Sequence, residues 1–441
     1  MTSRLVRIEA AAIVALSIAA GCTDNNKDLL APKAPDKMVL PPIGGGVILR
    51  PVLPNPDDFV DIAAAGNHTC ARKYNGNVYC WGAEGEAGYG IVVNTPTLVR
   101  QGATQIAVGA AHACTLDANG FAYCWGGGQS GQLGNQLGAQ SGYSSGAVLG
   151  PKDPNSYFGT LPPLSFTSIV ASGSSTCGIV ASMDLYCWGL AGGVNPQQFT
   201  SVPTLIVTPN NYSPHFTQLA IGNQHVCGYV SWAQETDCYG ADQFGQAGSD
   251  PNNTFYYPGT KTVLVAMSTQ LVGAKRIAAQ GDFTCGDMSN GTVQCFGYSF
   301  DGELGNAPSN TTTPWVPQAV GNGMALRGVA TGYRHACALD ANNEAWCWGY
   351  NYWGMVGNGT WGYSTPTAQK VFGQSTGYQQ FGATIKFRAL AAGNEHTCGI
   401  GTDNHIYCWG HNNLRQLGTW LVGANGQTLS GGWVPAPVLT M

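Results

Sequence analysis

"HTCARKYNGNVYCWG", residues 68–82, sets two cysteines ten positions apart around an Asn-Gly pair and ends on Cys-Trp-Gly. The pattern returns as "HACTLDANGFAYCWG", residues 112–126. Asn75-Gly76, Asn119-Gly120 and Asn290-Gly291 fall midway between their cysteines, where a hairpin needs residues that tolerate positive φ. A cysteine on each arm then faces its partner. Opposed residues on antiparallel strands have Cα atoms ~4.5 to 5.5 Å apart, within reach of a disulfide.

The same spacing recurs along the chain. It pairs Cys70 with Cys80, Cys114 with Cys124, Cys177 with Cys187, Cys227 with Cys238, Cys285 with Cys295, Cys337 with Cys347 and Cys398 with Cys408, seven pairs that use fourteen of the 15 cysteines. Their first cysteines are 44, 63, 50, 58, 52 and 61 residues apart, a period in the range of one propeller blade. Zinc is the competing use of paired cysteines, but zinc sites favour short loops that gather four ligands. We expect a disulfide within each hairpin, with Cys227 and Cys238 needing a bulge or a wider turn for their extra residue.

Composition agrees with a turn-rich β chain. Of 441 residues, 10% are charged and 44% hydrophobic, and 62 glycines with 24 prolines break the chain too often for long helices. The net charge of -5 comes without a basic patch, so no nucleic-acid partner is expected.

The odd cysteine sits near the start. Arg4 and Arg7 precede an uncharged stretch from Ala10 to Gly21, long enough for an export signal and short for a membrane span. Its end, Ala19-Ala20-Gly21-Cys22, resembles the bacterial lipoprotein box, which implies lipidation at Cys22; Ala19 stands where leucine is usual. Residues 1–21 then form a signal peptide, and residues 22–57 a lipidated tether with seven prolines and Gly44-Gly45-Gly46. The implied location is the bacterial outer membrane or cell surface, with secretion as the alternative.

Five histidines, His68, His112, His225, His335 and His396, stand two residues before the first cysteine of their repeats, where Ser175 and Phe283 stand in the others. A ring of equivalent positions holds such side chains apart, so they read as structural hydrogen-bonders and no metal or other cofactor is expected. The aromatics Trp81, Trp125, Trp188, Trp348 and Trp409, with Tyr239 and Phe296, read as wedges between neighbouring sheets.

Gly-x-x-His-x-Cys, Gly-x-Val-Tyr-Cys-Trp-Gly and the Gly-Gln-Leu-Gly at 131–134 together resemble the repeats of the regulator of chromosome condensation family. Partial versions of the last element occur at 245–248, 302–305 and 415–418; the third unit, "GLAGGVNPQQF", matches least. The resemblance implies an all-β, seven-bladed β-propeller over residues 58–441. The first unit opens with "FVDIAAAG" and the last closes with "WVPAPVLT", so we expect one sheet to draw strands from both ends.

The family's best-known activity, guanine-nucleotide exchange, needs a eukaryotic partner, and export argues against it. No Walker loop, Gly-x-Ser-x-Gly elbow, His-Glu-x-x-His or placeable carboxylate pair is present, so no catalytic residue is expected. Longer segments at 135–160, 249–260, 351–365 and 373–382 are rich in Tyr, Ser, Gly and Asn, a paratope-like mixture. Tyr157, Phe158, Tyr256, Tyr257, Trp353, Trp361 and Tyr363 are the expected contacts of a monomeric scaffold with an unknown envelope protein or glycan. An envelope enzyme directed at polysaccharide, with acidic groups at the channel mouth, is the alternative.

Overall fold

The computed structural model describes residues 55–83, 92–136, 142–156, 159–190, 200–206, 215–248, 271–306, 315–373, 384–419 and 431–439. Seven antiparallel sheets follow one another in the chain, each ordered inner, second, third and outer strand. We call them blades 1 to 7; they span 59–100, 105–147, 166–205, 218–240, 274–319, 327–370 and 387–437, and three strands of blade 4 are described. Each inner strand lies beside the next blade's, and that of blade 7 lies beside that of blade 1. The fold is a seven-bladed β-propeller.

Local chemistry explains the blade. Inner strands are short and small-sided, as in Ala63-Ala64-Ala65 and Ala391-Ala392, because they converge on one axis. Second and third strands are buried nearly throughout, and each repeat's two cysteines are register partners across them. All seven expected disulfides form within their own hairpins. Cys70 is bonded to Cys80, Cys114 to Cys124, Cys177 to Cys187 and Cys227 to Cys238, with Cα atoms 4.0 to 4.1 Å apart. Cys285 is bonded to Cys295, Cys337 to Cys347 and Cys398 to Cys408 at the same separations, 4.0 to 4.1 Å. The extra residue of blade 4 sits in a wider turn, since its ladder runs unbroken to Val230 opposite Glu235.

The hairpin turns share one backbone requirement. Gly76, Gly120, Met183, Gln234, Gly291, Asn343 and Asn404 all have φ between 56° and 84°. Glycine and asparagine adopt this region at little cost; methionine and glutamine do not. Outer strands bulge opposite the Cys-Trp-Gly segment, and Pro96, Pro203, Pro366 and Pro435 sit inside those bulges, where no ladder N–H is required.

Blades interlock through three side chains. The second residue of the Gly-Gln-Leu-Gly element offers its backbone carbonyl to the next blade. Gln246 O and Met355 O accept Thr284 Oγ1 and Thr397 Oγ1 at 3.2 and 3.0 Å, and Met355 O also accepts Trp409 Nε1 at 2.7 Å. Each threonine in turn takes a histidine of the blade before it: His112 to Thr176, His225 to Thr284, His335 to Thr397 and His396 to Thr69, at 2.7 to 2.8 Å. Burial pushes the imidazoles of His112, His225, His335 and His396 down to about 3, so they are neutral bonding groups. The last glycine of the element leaves room for the next blade's tryptophan. A Cβ on Gly305, Gly357 or Gly418 would come within 2.9, 2.7 or 2.8 Å of Trp348, Trp409 or Trp81.

Two expectations are corrected here. The ring closes without a shared sheet: blades 1 and 7 each use consecutive strands. Side chains do the joining, with Trp81 Nε1 donating to Gln416 O at 3.0 Å, Asn404 donating to Asp58 at 2.8 Å and Arg388 bonded to Phe59 O. Blade 6 also carries the turn element, as Gly354-Met355-Val356-Gly357 with φ of 83° and 71° at its glycines. Residues 351–357 therefore belong to the repeat rather than to an insertion.

Candidate functional site

The loops that leave the third strands and those that join inner to second strands lie at one end of the blades, opposite the hairpin turns. On blades 4 to 7 these loops carry a continuous band of rings. Phe244 meets the edge of Tyr298 at 5.0 Å, and Tyr298 lies 6.5 Å from Phe300. The guanidinium of Arg334 stands over Tyr350 at 4.8 Å and Tyr298 at 5.8 Å. Tyr350 lies parallel to Tyr352 at 6.2 Å, Tyr352 meets Trp353 edge-on at 5.2 Å, and Trp353 stacks on His411 at 4.2 Å.

Charge is threaded through these rings. Arg334 pairs with Asp301 and approaches Glu303 at 3.8 Å, and His411 Nδ1 is 2.7 Å from Glu395 Oε2. Burial, with Asp301 beside it, raises the Glu303 carboxyl to about 8. Burial first, with Glu395 nearby, raises the Tyr350 hydroxyl. Phe300 is 61% exposed and Tyr352 48%, so the band presents open ring faces rather than core. The equivalent segment of blade 2, Gly127-Gly128-Gln129-Ser130, has no ring.

Three of the contact residues expected from sequence lie at this end of the blades, Trp353 within the band and Trp361 and Tyr363 beside it. Trp361 and Tyr363 are 55% and 85% exposed, whereas Trp353 is half-buried by its stack on His411. Trp353 thus serves blade packing as well as surface. Tyr157, Phe158, Tyr256 and Tyr257 lie outside the described residues. Sequence patterns alone passed over Phe300, Arg334, Tyr352, Glu395 and Trp433; a signal was there, because Arg334 and Glu395 each precede a repeat histidine.

The axis is narrower chemistry. Inner-strand residues such as Ala64, Ala107, Ile169, Ala220 and Ala330 line it, and Arg276 is its one charged side chain among the described residues. The Gln280 amide, turned so that its nitrogen faces them, donates to carbonyls of Thr331, Ala392 and Ala64 at 2.8, 2.7 and 3.2 Å. Among the described residues this lining holds no acidic side chain. Nor do three His, Cys, Asp or Glu side chains among the described residues gather as metal ligands.

Blades 1, 6 and 7 also match a family model, the regulator of chromosome condensation (RCC1) repeat, at residues 59–87, 327–354 and 387–416. The chain carries RCC1 repeats. Its fold is that of yeast RCC1 (Prp20) solved bound to Kap60, with a TM-score of 0.64 and 17% identity over 82% of this chain and 84% of that one. Prp20p of Saccharomyces cerevisiae, described with its binding to Gsp1p and histones, gives 0.65 and 17% over 87% and 88%. The ultraviolet-B receptor UVR8 of Arabidopsis thaliana is 24% identical over 250 residues, 54% of this chain and 51% of the receptor. The human probable ubiquitin ligase HERC4 is 34% identical over 90 residues, 20% of this chain and 8% of the ligase. The matched part is thus about half of the receptor and a small part of the ligase. The His-Thr and Trp-Gly contacts described above pack neighbouring blades against one another, and the ringed rim is what they leave over.

Proposed function

We propose that this RCC1-repeat propeller is a lipid-tethered interaction scaffold that binds a protein partner through the ringed rim of blades 4 to 7. Residues 1–21 export it, Cys22 anchors it at the bacterial outer membrane or cell surface, and residues 22–57 serve as the tether. Seven disulfides suit an oxidising compartment. The observation that carries the binding reading is the open, charge-threaded aromatic band from Phe244 to His411. Tyrosine, tryptophan and arginine are the side chains that anchor interfaces, the two aromatics because they bury large area at low entropy cost. Protein recognition also appears in the descriptions of the yeast propellers, with Kap60, Gsp1p and histones.

The test is capture from envelope extracts with the propeller and with Phe300→Ala/Tyr352→Ala. Each ring is exposed, so stability should stay within ~0.5 kcal/mol, whereas an interface anchor costs more than ~2 kcal/mol of affinity. Partners held equally by both forms would refute the rim as the binding surface. Cys22→Ser tests the tether: the protein should leave the membrane fraction, and undiminished membrane association would remove the lipid from the proposal.

A further inference from the structure

Beside the charged band, where blades 6 and 7 meet, lies a second surface of different chemistry. Trp361 and Trp433 are parallel within 16° with ring centroids 5.5 Å apart. Trp433 lies in turn on the backbone of Gly354, where a Cβ would come within 2.7 Å of its ring. The layers are Gly354, Trp433 and Trp361, and Trp361 is 55% exposed, so the stack ends in an open ring.

The loop that presents Trp361 is built rather than loose. Asn351 Nδ2 donates to the Thr360 carbonyl at 3.2 Å, and Asn358 Oδ1 accepts the Thr360 N–H at 3.1 Å and its hydroxyl at 2.6 Å. Gly359 N–H donates to Trp433 O at 3.1 Å, and Gly362 N–H to Asn351 O at 3.2 Å. The ring is therefore held in place before any ligand arrives, which lowers the entropy cost of binding.

What could complete the stack follows from charge. Residues 349–369 and 431–441 contain no charged side chain. A carboxylate that reaches this loop, Asp301, accepts the Ser364 hydroxyl at 2.8 Å and is paired with Arg334. The surface thus offers a ring face, the 85% exposed Tyr363 and amide and hydroxyl groups, and its own segments carry no ion for a phosphate, a carboxylate or a basic chain to meet. A neutral sugar ring matches this on both counts. Its polarised C–H face is attracted to the electron-rich face of an indole, and its hydroxyls exchange hydrogen bonds with uncharged donors and acceptors.

We propose that Trp361, backed by Trp433 and flanked by Tyr363, is a stacking platform for a neutral polysaccharide. This goes beyond the protein-binding rim and stands on different residues. The experiment uses the whole exported chain in native gels cast with a soluble β-glucan, a soluble starch or a galactomannan, and in tryptophan fluorescence titrations with the same three. At least one should retard the wild type and shift its emission. Trp361→Ala and Trp433→Ala should weaken that binding roughly tenfold or more, as loss of a stacking anchor does. Phe300→Ala/Tyr352→Ala should leave it unchanged. Trp361→Ala should also melt like the wild type, which separates a lost contact from a lost fold. If none of the three binds, or if Trp361→Ala binds as well as the wild type, the platform is refuted and the rim is untouched. If Trp361→Ala instead releases a captured protein that no polysaccharide displaces, the platform belongs to the protein interface and the sugar assignment fails while the binding reading stands.

Discussion

Thr397→Val in blade 7 is a small change in volume that should be felt throughout the ring. The Thr397 hydroxyl donates to Met355 O at 3.0 Å and accepts His335 Nε2–H at 2.8 Å, and both side chains are fully buried. Valine keeps the branched shape and removes the acceptor. Met355 O retains Trp409 Nε1 at 2.7 Å, so the group left without a partner is the His335 N–H. A buried donor stripped of its partner costs ~1 to 3 kcal/mol. The same positions at the junction of blades 5 and 6 hold Phe283 and Ala336, both fully buried in one apolar cluster. His335→Phe/Thr397→Ala copies that junction and leaves no orphan. The double variant should therefore lose less than the sum of His335→Phe and Thr397→Ala made singly, by at least ~1 kcal/mol of coupling. Equilibrium unfolding in guanidinium with the disulfides intact, read by the buried tryptophans, measures all four corners of the cycle. Thr397→Val within ~0.5 kcal/mol of the wild type, or additive single variants, would refute the His-Thr pairing as a source of stability.

Met183, with φ of 66° in the blade 3 hairpin, occupies a conformation that blades 1, 2 and 5 give to glycine. Met183→Gly should raise stability by about 1 kcal/mol in the same unfolding assay, and a loss would show that its side chain contributes more than the strain costs. Acid should destabilise the ring. His112, His225, His335 and His396 are held down to about 3 in the folded state against an ordinary 6.5, so their stability is present above pH 6.5 and is lost as pH falls toward 3. Each contributes about 1.4 kcal/mol per pH unit inside that window. Glu303 and Asp237, raised by burial to about 8 and about 6, bind protons in the folded state and offset part of the loss. The melting temperature should fall from about pH 6 to about pH 4.5, and His335→Phe/Thr397→Ala should make the fall shallower by about one proton. A level melting temperature over that range would contradict the neutral, buried imidazoles.

Legibility in the sequence followed the range of each interaction. The hairpins and their cysteine pairs were readable because everything that makes them lies within a dozen residues, and Asn75-Gly76 announces its own backbone. The equivalent turns at Met183 and Gln234 were silent, since neither residue type betrays a positive φ. The histidines were recognised as bonding groups, but their partners were not: His335 meets Thr397 62 residues away, and the pairing follows only once adjacent blades are known to face each other. Attention to the glutamine of Gly-Gln-Leu-Gly concealed its blade 6 version. The contacts that matter there are a backbone carbonyl and a glycine under the next tryptophan, and Met355 with Gly357 supplies both. The same logic explains the error over ring closure. Complementary chain ends suggested a shared sheet, yet a ring whose blades already grip through Trp81 on Gly418 and Gln416 O needs no strand exchange to close. The rim was harder still, because its residues come from four blades and each ring alone has the look of a loop residue. Arg334 becomes informative only with Tyr298 and Tyr350 on either side of it, and that arrangement belongs to the fold rather than to any one stretch of sequence.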